Sequence, residues 1–202
     1  MGKDHYTSRG LTSTEMMVET LRCRNDFEIA HVERVDIVSI LEFKLVQHFP
    51  EFRLIIMRDG DMETEATADP RNNRIFVRRS LYRAACDNDP EARLVLAHEL
   101  GHYLLHEEKN AQMHTDRKGS VQAIKQMTAL ESTEDQADMF ARHFLAPPRL
   151  AYHYRNSPSE LASSAGIPLR IARGNITMSK WPEVYAIRHL HDGSFDHATN
   201  TK

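Results

Sequence analysis

Ala97-His98-Glu99-Leu100-Gly101-His102-Tyr103 is the stretch whose reading decides the fold. On a helix, residues four apart lie about 40° apart around the axis, so the imidazoles of His98 and His102 can reach one ion. Glu99 then sits beside the open side of that ion, where a base is useful. This HExxH pattern is the smallest arrangement that holds a zinc ion with a proton acceptor next to it.

The surrounding residues support a helix at this place. Asp89-Pro90-Glu91 is a strong helix start: Asp caps free amides, Pro tolerates the first position, and an acid there suits the dipole. Leu94, Val95, Leu96, Ala97, Leu100, Leu104 and Leu105 are spread around the axis rather than along one stripe, which predicts a buried helix. Two His and a Glu inside such a helix carry a desolvation cost that a bound divalent cation relieves. Gly101, a missing side chain among bulky neighbours, predicts that a backbone or a substrate comes close.

A catalytic zinc ion keeps three protein ligands and a water. The downstream run Glu131-Ser132-Thr133-Glu134-Asp135-Gln136-Ala137-Asp138 reads as a second helix, capped by Ser132 or Thr133 and ended by Pro147. Glu134 and Asp138 share a face, so the natural division has Glu134 on the metal and Asp138 receiving the far N–H of a ligating His. The alternative is a pair of solvated acids on an ordinary amphipathic helix. His106 and His143 are the other candidate third ligands. Residues 98 to 106 span about 12 Å of one straight helix, which ranks His106 below Glu134.

The run Arg93 to His106, followed by Glu134-Asp135-Gln136-Ala137-Asp138-Met139-Phe140-Ala141 and on to Pro147, resembles the ImmA/IrrE family of zinc metallo-endopeptidases. Ala68 to Val77 is similar to the strand that precedes the active-site helix in that family. The resemblance covers roughly residues 35 to 175. It implies an α+β, zincin-like metallopeptidase fold, His98, His102 and Glu134 as ligands of one Zn2+ ion, and Glu99 as catalytic acid/base. It also implies regulatory proteolysis of a protein substrate, since members of the family are associated with cleaving a helix-turn-helix transcriptional repressor. The chain departs from the pattern in an extra amphipathic segment (Val121, Ile124, Met127, Leu130) between the two motifs.

Composition bounds the rest. At 202 residues, with 41% hydrophobic and 27% charged residues, one substantial core plus an extension is expected. A formal charge of -3 argues against wholesale nucleic-acid binding. Cys23 and Cys86 are too few for a disulfide framework or a Cys-based zinc site, and suit a reducing cytoplasm. The polar start and the lack of a ~20-residue apolar run predict a protein with no secretory signal and no membrane span.

The expected division is a metallopeptidase domain over residues 12–148 and a small helical extension over 149–190. Thr12-Ser13-Thr14-Glu15 opens a helix to about Arg24, and a second helix runs from Asp36 to about Phe49. Strands are expected over Glu51 to Arg58, Glu63 to Ala68 and Arg74 to Leu81, as a small antiparallel sheet whose last strand borders the cleft. Residues 157–172 have the outline of a helix-turn-helix. Arg170 and Arg173 are few and Gly174 interrupts early, so direct DNA binding is not expected; a cleft wall or a protein-docking element fits better. The tail after about His191 reads as disordered. The alternative from another class is a non-proteolytic metal-binding regulator or toxin/antitoxin-type partner, which a closed, four-ligand site would favour.

Overall fold

The computed structural model describes residues 10–106 and 132–189. The amphipathic segment expected around residues 121–130 and the tail after His191 lie outside the described residues. Thr12 and Glu15 close a capping box, with Glu15 Oε2 2.8 Å from the Thr12 amide, and so begin α1 (Ser13–Asp26). Asp36 caps the next helix by accepting from the Ser39 amide at 3.0 Å. That helix, α2, covers residues 37–48 and widens into a π-type turn at Ile40–Lys44 before closing again over Leu45–His48.

Three strands follow: β1 (Arg53–Met57), β2 (Ala66–Asp69) and β3 (Arg74–Arg78). The sheet is mixed and not antiparallel as the sequence suggested: β3 lies in the middle, parallel to β1 and antiparallel to β2. The physical reason is the length of the links. Residues 58–65 leave β1 through a 3-10 turn at Asp59–Asp61, too long for a tight hairpin, whereas β2 returns into β3 through Pro70–Asn72 and left-handed Asn73, φ 53°. β1 pairs with the other side of β3.

The third strand is also shorter than expected. Ser80 donates its amide to Asp59 Oδ1 at 3.0 Å, and the chain turns there into α3 (Arg79–Cys86). Asp89 then caps α4 (Pro90–Leu105), accepting from the Ala92 amide at 2.8 Å. Ser132 caps α5 (Thr133–Leu145). Pro147 ends that helix, but Pro148 opens another at once, α6 (Pro148–His153), because proline at a first helical position has no amide to lose. The helix-turn-helix outline is real as geometry: α7 (Pro158–Ala165), left-handed Gly166, α8 (Leu169–Ser179). Gly174 does not interrupt α8. A last short helix, α9 (Tyr185–Arg188), follows a 3-10 turn.

The core lies between α4, α5 and the sheet, with Leu41, Leu45, Phe52, Ile75, Val77, Leu96, Leu100, Phe140 and Phe144 buried together; Leu161, Ile167, Ala172 and Ile176 join the same cluster. Buried arginines tie its layers by donating to helix-end and loop carbonyls. Arg24 reaches Phe144 O, Ile29 O and Val32 O, and Arg93 reaches Val35 O at 2.8 Å and Ala165 O at 3.1 Å. Asn175 Nδ2 donates to both Arg142 O and Ala146 O at 2.9 Å, fixing α8 to the end of α5. No helix among the described residues is long and apolar enough to cross a membrane.

Candidate metal centre

Gly101 sets the distance between the two helices that carry the site. A Cβ there would lie 3.0 Å from Phe140 Cδ1 and 3.3 Å from Ala137 Cα, so its absence lets α4 and α5 approach backbone to side chain. This is the close backbone that the sequence around Gly101 predicts. On α4, His98 and His102 lie one turn apart; on α5, Glu134 faces them from the first turn.

His98 Nε2 lies 2.9 Å from His102 Nε2, and each of these nitrogens lies 3.4 Å from a Glu134 carboxylate oxygen. Ligand atoms arranged tetrahedrally around a zinc ion at its usual bond lengths stand about 3.3 Å apart. The three donors therefore fit one divalent ion with small adjustment, and they are the group among the described residues able to hold one. The two imidazoles are mostly buried while the Glu134 side chain is 52% exposed, so the open side of the group faces solvent from α5.

Each imidazole turns its other nitrogen to a partner. Asp138 Oδ1 accepts from His98 Nδ1 at 2.7 Å. His102 Nδ1 meets His106 Nδ1 at 3.0 Å, and His106 Nε2 donates to Gln136 Oε1 at 3.1 Å. The consistent direction has protons on both Nδ1 atoms of the ligand pair, which leaves the Nε2 lone pair of each ring, when neutral, for a cation. Burial lowers His106 to about 4, so it stays neutral and can accept from His102. Burial also opposes charge on His98, but hydrogen bonds with Asp138 and Glu134 outweigh it and push its pKa up to about 9. The two histidines in turn hold the Glu134 carboxyl well below the usual range.

Glu99 lies beside His98 and His102 on α4, close enough to feel the charge of both. Its Oε2 accepts from the Ala68 amide at 2.6 Å, and burial raises its pKa against the opposing pull of His102 and His98. Ala68 belongs to β2, which is the edge strand on this side of the sheet; β3, expected to border the cleft, is central. Tyr103 pins the β2–β3 turn to the same helix through Asn73 Oδ1 at 3.1 Å.

Residues 52–166, more than half of the chain, match the Peptidase M78 family, described as the IrrE N-terminal-like domain. The chain belongs to the Peptidase M78 family. No curated protein matches it by sequence. The matched span of the M78 family holds His98, Glu99 and His102 together with Glu134 and Asp138, and family membership gives the chain a metallopeptidase-type function. The ImmA/IrrE likeness of the two motifs therefore stands.

The structure brings His98, His102, Glu134 and Asp138 into one network and keeps Glu99 beside it. It sets His106 behind His102 and leaves His143 buried elsewhere on α5, 1% exposed and without a hydrogen bond from either ring nitrogen to any described residue. Sequence reasoning missed Gln136. It lies two residues from both Glu134 and Asp138, on the other side of the helix from the face they share, so their spacing gave no signal for it.

Proposed function

We propose that this chain is a zinc-dependent endopeptidase, with His98, His102 and Glu134 as metal ligands, Asp138 orienting His98, and Glu99 as the catalytic acid/base. The observation that carries the reading is the convergence of two imidazole Nε2 atoms and one carboxylate, at 2.9 to 3.4 Å from one another, beside a buried glutamate. When bound, a zinc ion supplies Lewis acidity to a water molecule and to the peptide carbonyl. Glu99 accepts the proton of that water and returns one to the leaving amine, a task suited to a carboxyl whose pKa is raised by burial. The Ala68 N–H fixes Oε2 and so orients the carboxylate with Oε1 available for the proton. The edge of β2 takes an extended peptide through main-chain hydrogen bonds. His106 and Gln136 keep the His102 ring in place.

Three ligands rather than four among the described residues suit an ion that keeps a position for water, which favours the peptidase over a purely structural site. A helix-turn-helix repressor is the proposed substrate, on the strength of the family likeness, and the helices of residues 149–190 are proposed to form the wall that receives it.

The test pairs metal content with cleavage. Purified protein is incubated with a purified helix-turn-helix repressor, with and without a chelator, and products are identified by mass spectrometry. Cleavage that requires metal, and that Glu99→Gln abolishes while zinc remains bound, is the expected result. Intact cleavage by the zinc-loaded Glu99→Gln protein refutes the assignment of the base.

A further inference from the structure

Five arginines among the described residues bury an Nε that has no acceptor: Arg24, Arg78, Arg93, Arg142 and Arg188. Four of them spend their terminal nitrogens on carbonyl groups. Arg24 and Arg93 do so as described above, Arg78 donates to Met62 O and Glu63 O at 2.7 and 3.0 Å, and Arg188 donates to Ser179 O at 3.1 Å. Arg142 alone makes no side-chain hydrogen bond or ion pair with any described residue. Its half-buried guanidinium is accommodated by Gly174, where a Cβ would lie 2.5 Å from Nη2. Its backbone is not free to swing, because Asn175 grips the Arg142 carbonyl.

The charges around it sharpen the case. Asp138 attracts the guanidinium but spends Oδ1 on His98, and Arg170 adds a second positive charge on the α8 side. Arg170 itself is already paired, to Glu91 at 2.6 Å. The Arg142 Nε is buried without an acceptor among the described residues, while its terminal nitrogens are not buried and stay open to an anionic ligand. A planar guanidinium takes a carboxylate through two parallel hydrogen bonds.

We infer that Arg142 is a specificity-determining residue that receives an aspartate or glutamate side chain of the peptide substrate on the rim of the metal centre. The inference rests on the peptidase reading above and names the substrate class. Arg142 lies one turn beyond Asp138 and two beyond Glu134, a rise of about 12 Å along α5. An extended peptide covers that distance in about three to four residues. The acidic residue therefore stands three to four positions from the bond that is cut, on one side of it only.

A degenerate peptide library incubated with the zinc-loaded protein, with products sequenced by mass spectrometry, reads the preference directly. Peptides with Asp or Glu at one such position are expected to be cut at least about ten-fold faster, in kcat/KM, than Asn or Gln counterparts. Arg142→Gln brings that ratio to about one, and Arg142→Glu turns it toward Lys. Gly174→Ala keeps the charge but displaces the guanidinium, and is expected to lower the ratio as well; circular dichroism and thermal melting establish that each variant is folded.

Binding of the same acid and amide peptides to the Glu99→Gln protein, read by fluorescence polarisation, separates the two readings. Acid-selective binding that Arg142→Gln removes, with no cleavage by the wild-type protein, sustains the anion site and refutes the peptidase. Cleavage with no acidic preference at any position, or a preference that survives Arg142→Gln, overturns the role of Arg142 and leaves the peptidase standing. Absence of both cleavage and acid-selective binding overturns both.

Discussion

Replacing His143 by leucine isolates the acid lability that one buried histidine gives this fold. His143 is 1% exposed on α5, and both ring nitrogens lack a hydrogen-bond partner among the described residues. Burial, with a smaller push from the Arg142 charge, lowers its pKa from 6.5 to about 3. The folded protein therefore holds His143 neutral at a pH where the unfolded chain has already protonated it. Between pH 6.5 and pH 3 the unfolded state binds one more proton at this position, so stability falls as the pH falls, by about 1.4 kcal/mol per unit. From pH 7 to pH 5 the loss amounts to about 2 kcal/mol. Above pH 6.5 both states are neutral and this contribution is flat.

Urea unfolding of wild type and His143→Leu, in the presence of chelator at pH 7, 6 and 5, reads the difference directly. At pH 7 the leucine removes unsatisfied polar atoms whose burial costs about 1–3 kcal/mol, so the variant is expected to be the more stable. The gap then widens by about 2 kcal/mol toward pH 5. Other groups titrate in this range too, but they cancel in the comparison of two chains that differ only at residue 143. Parallel stability curves would mean that the ring finds a proton acceptor on folding, and the reasoning from its isolation would fail. Zinc affinity of the variant is expected to match wild type, because His143 stands apart from the ligand group.

Three further outcomes follow from the site. His98 carries a proton at pH 7 when no metal is bound, since its pKa is pushed up to about 9, so zinc binding releases about one proton there and weakens as the pH falls. Calorimetric titrations at pH 7 in buffers of different ionisation enthalpy measure the release, and a heat independent of buffer would contradict it. Asp138→Asn removes the carboxylate from His98 Nδ1 and is expected to lower zinc affinity by about 10–100-fold with the fold intact, as read by competition with a chromophoric chelator. Gly101→Ala sets a methyl 3.0 Å from Phe140 Cδ1; overpacking of about 1–3 kcal/mol outweighs the ~1 kcal/mol that alanine gains as a helix former, so the melting temperature and the zinc affinity fall together.

The parts of this molecule that were legible in the sequence are those where one residue type has one physical reason to be where it is. Asp89, Thr12 and Ser132 mark helix starts because free amides need an acceptor, Pro90 because it has no amide to satisfy, and together they open three helices. The convergence of His98, His102 and Glu134 was legible because helical spacing alone brings the first two together, and because a metal held by two imidazoles needs a third protein ligand. The mixed sheet was not legible. Alternating apolar residues mark a strand but say nothing of its neighbour, and the order of the three strands is decided by link geometry at residues 58–65 and 70–73. The helix at Arg79–Cys86 was hidden for a related reason: its start depends on Asp59, twenty-one residues earlier, receiving the Ser80 amide. Arg142 carried no signal at all in sequence, since its isolation is a property of what α8 does not offer it.

The two histidines of the metal centre are not equivalent, and the difference follows from what stands behind them. His98 is backed by a carboxylate at 2.7 Å, His102 by a neutral imidazole at 3.0 Å that passes its own proton to an amide oxygen. A carboxylate behind an imidazole raises the electron density at the far nitrogen more than a neutral acceptor does, so His98 is the stronger donor of the pair. The same carboxylate holds a competing proton on His98 when the metal is absent, so its benefit is largest at high pH and smallest at low pH. His106, held neutral by burial, and Gln136 back His102 with uncharged groups and so give it less donor strength. Loss of Asp138 should therefore cost zinc affinity most above pH 9 and progressively less below it, while loss of the His106 side chain should cost a similar factor at every pH between 6 and 9. Zinc titrations of Asp138→Asn and His106→Phe across that range test the division, and equal pH dependence in the two variants would show that the backing groups act only by holding the rings in place.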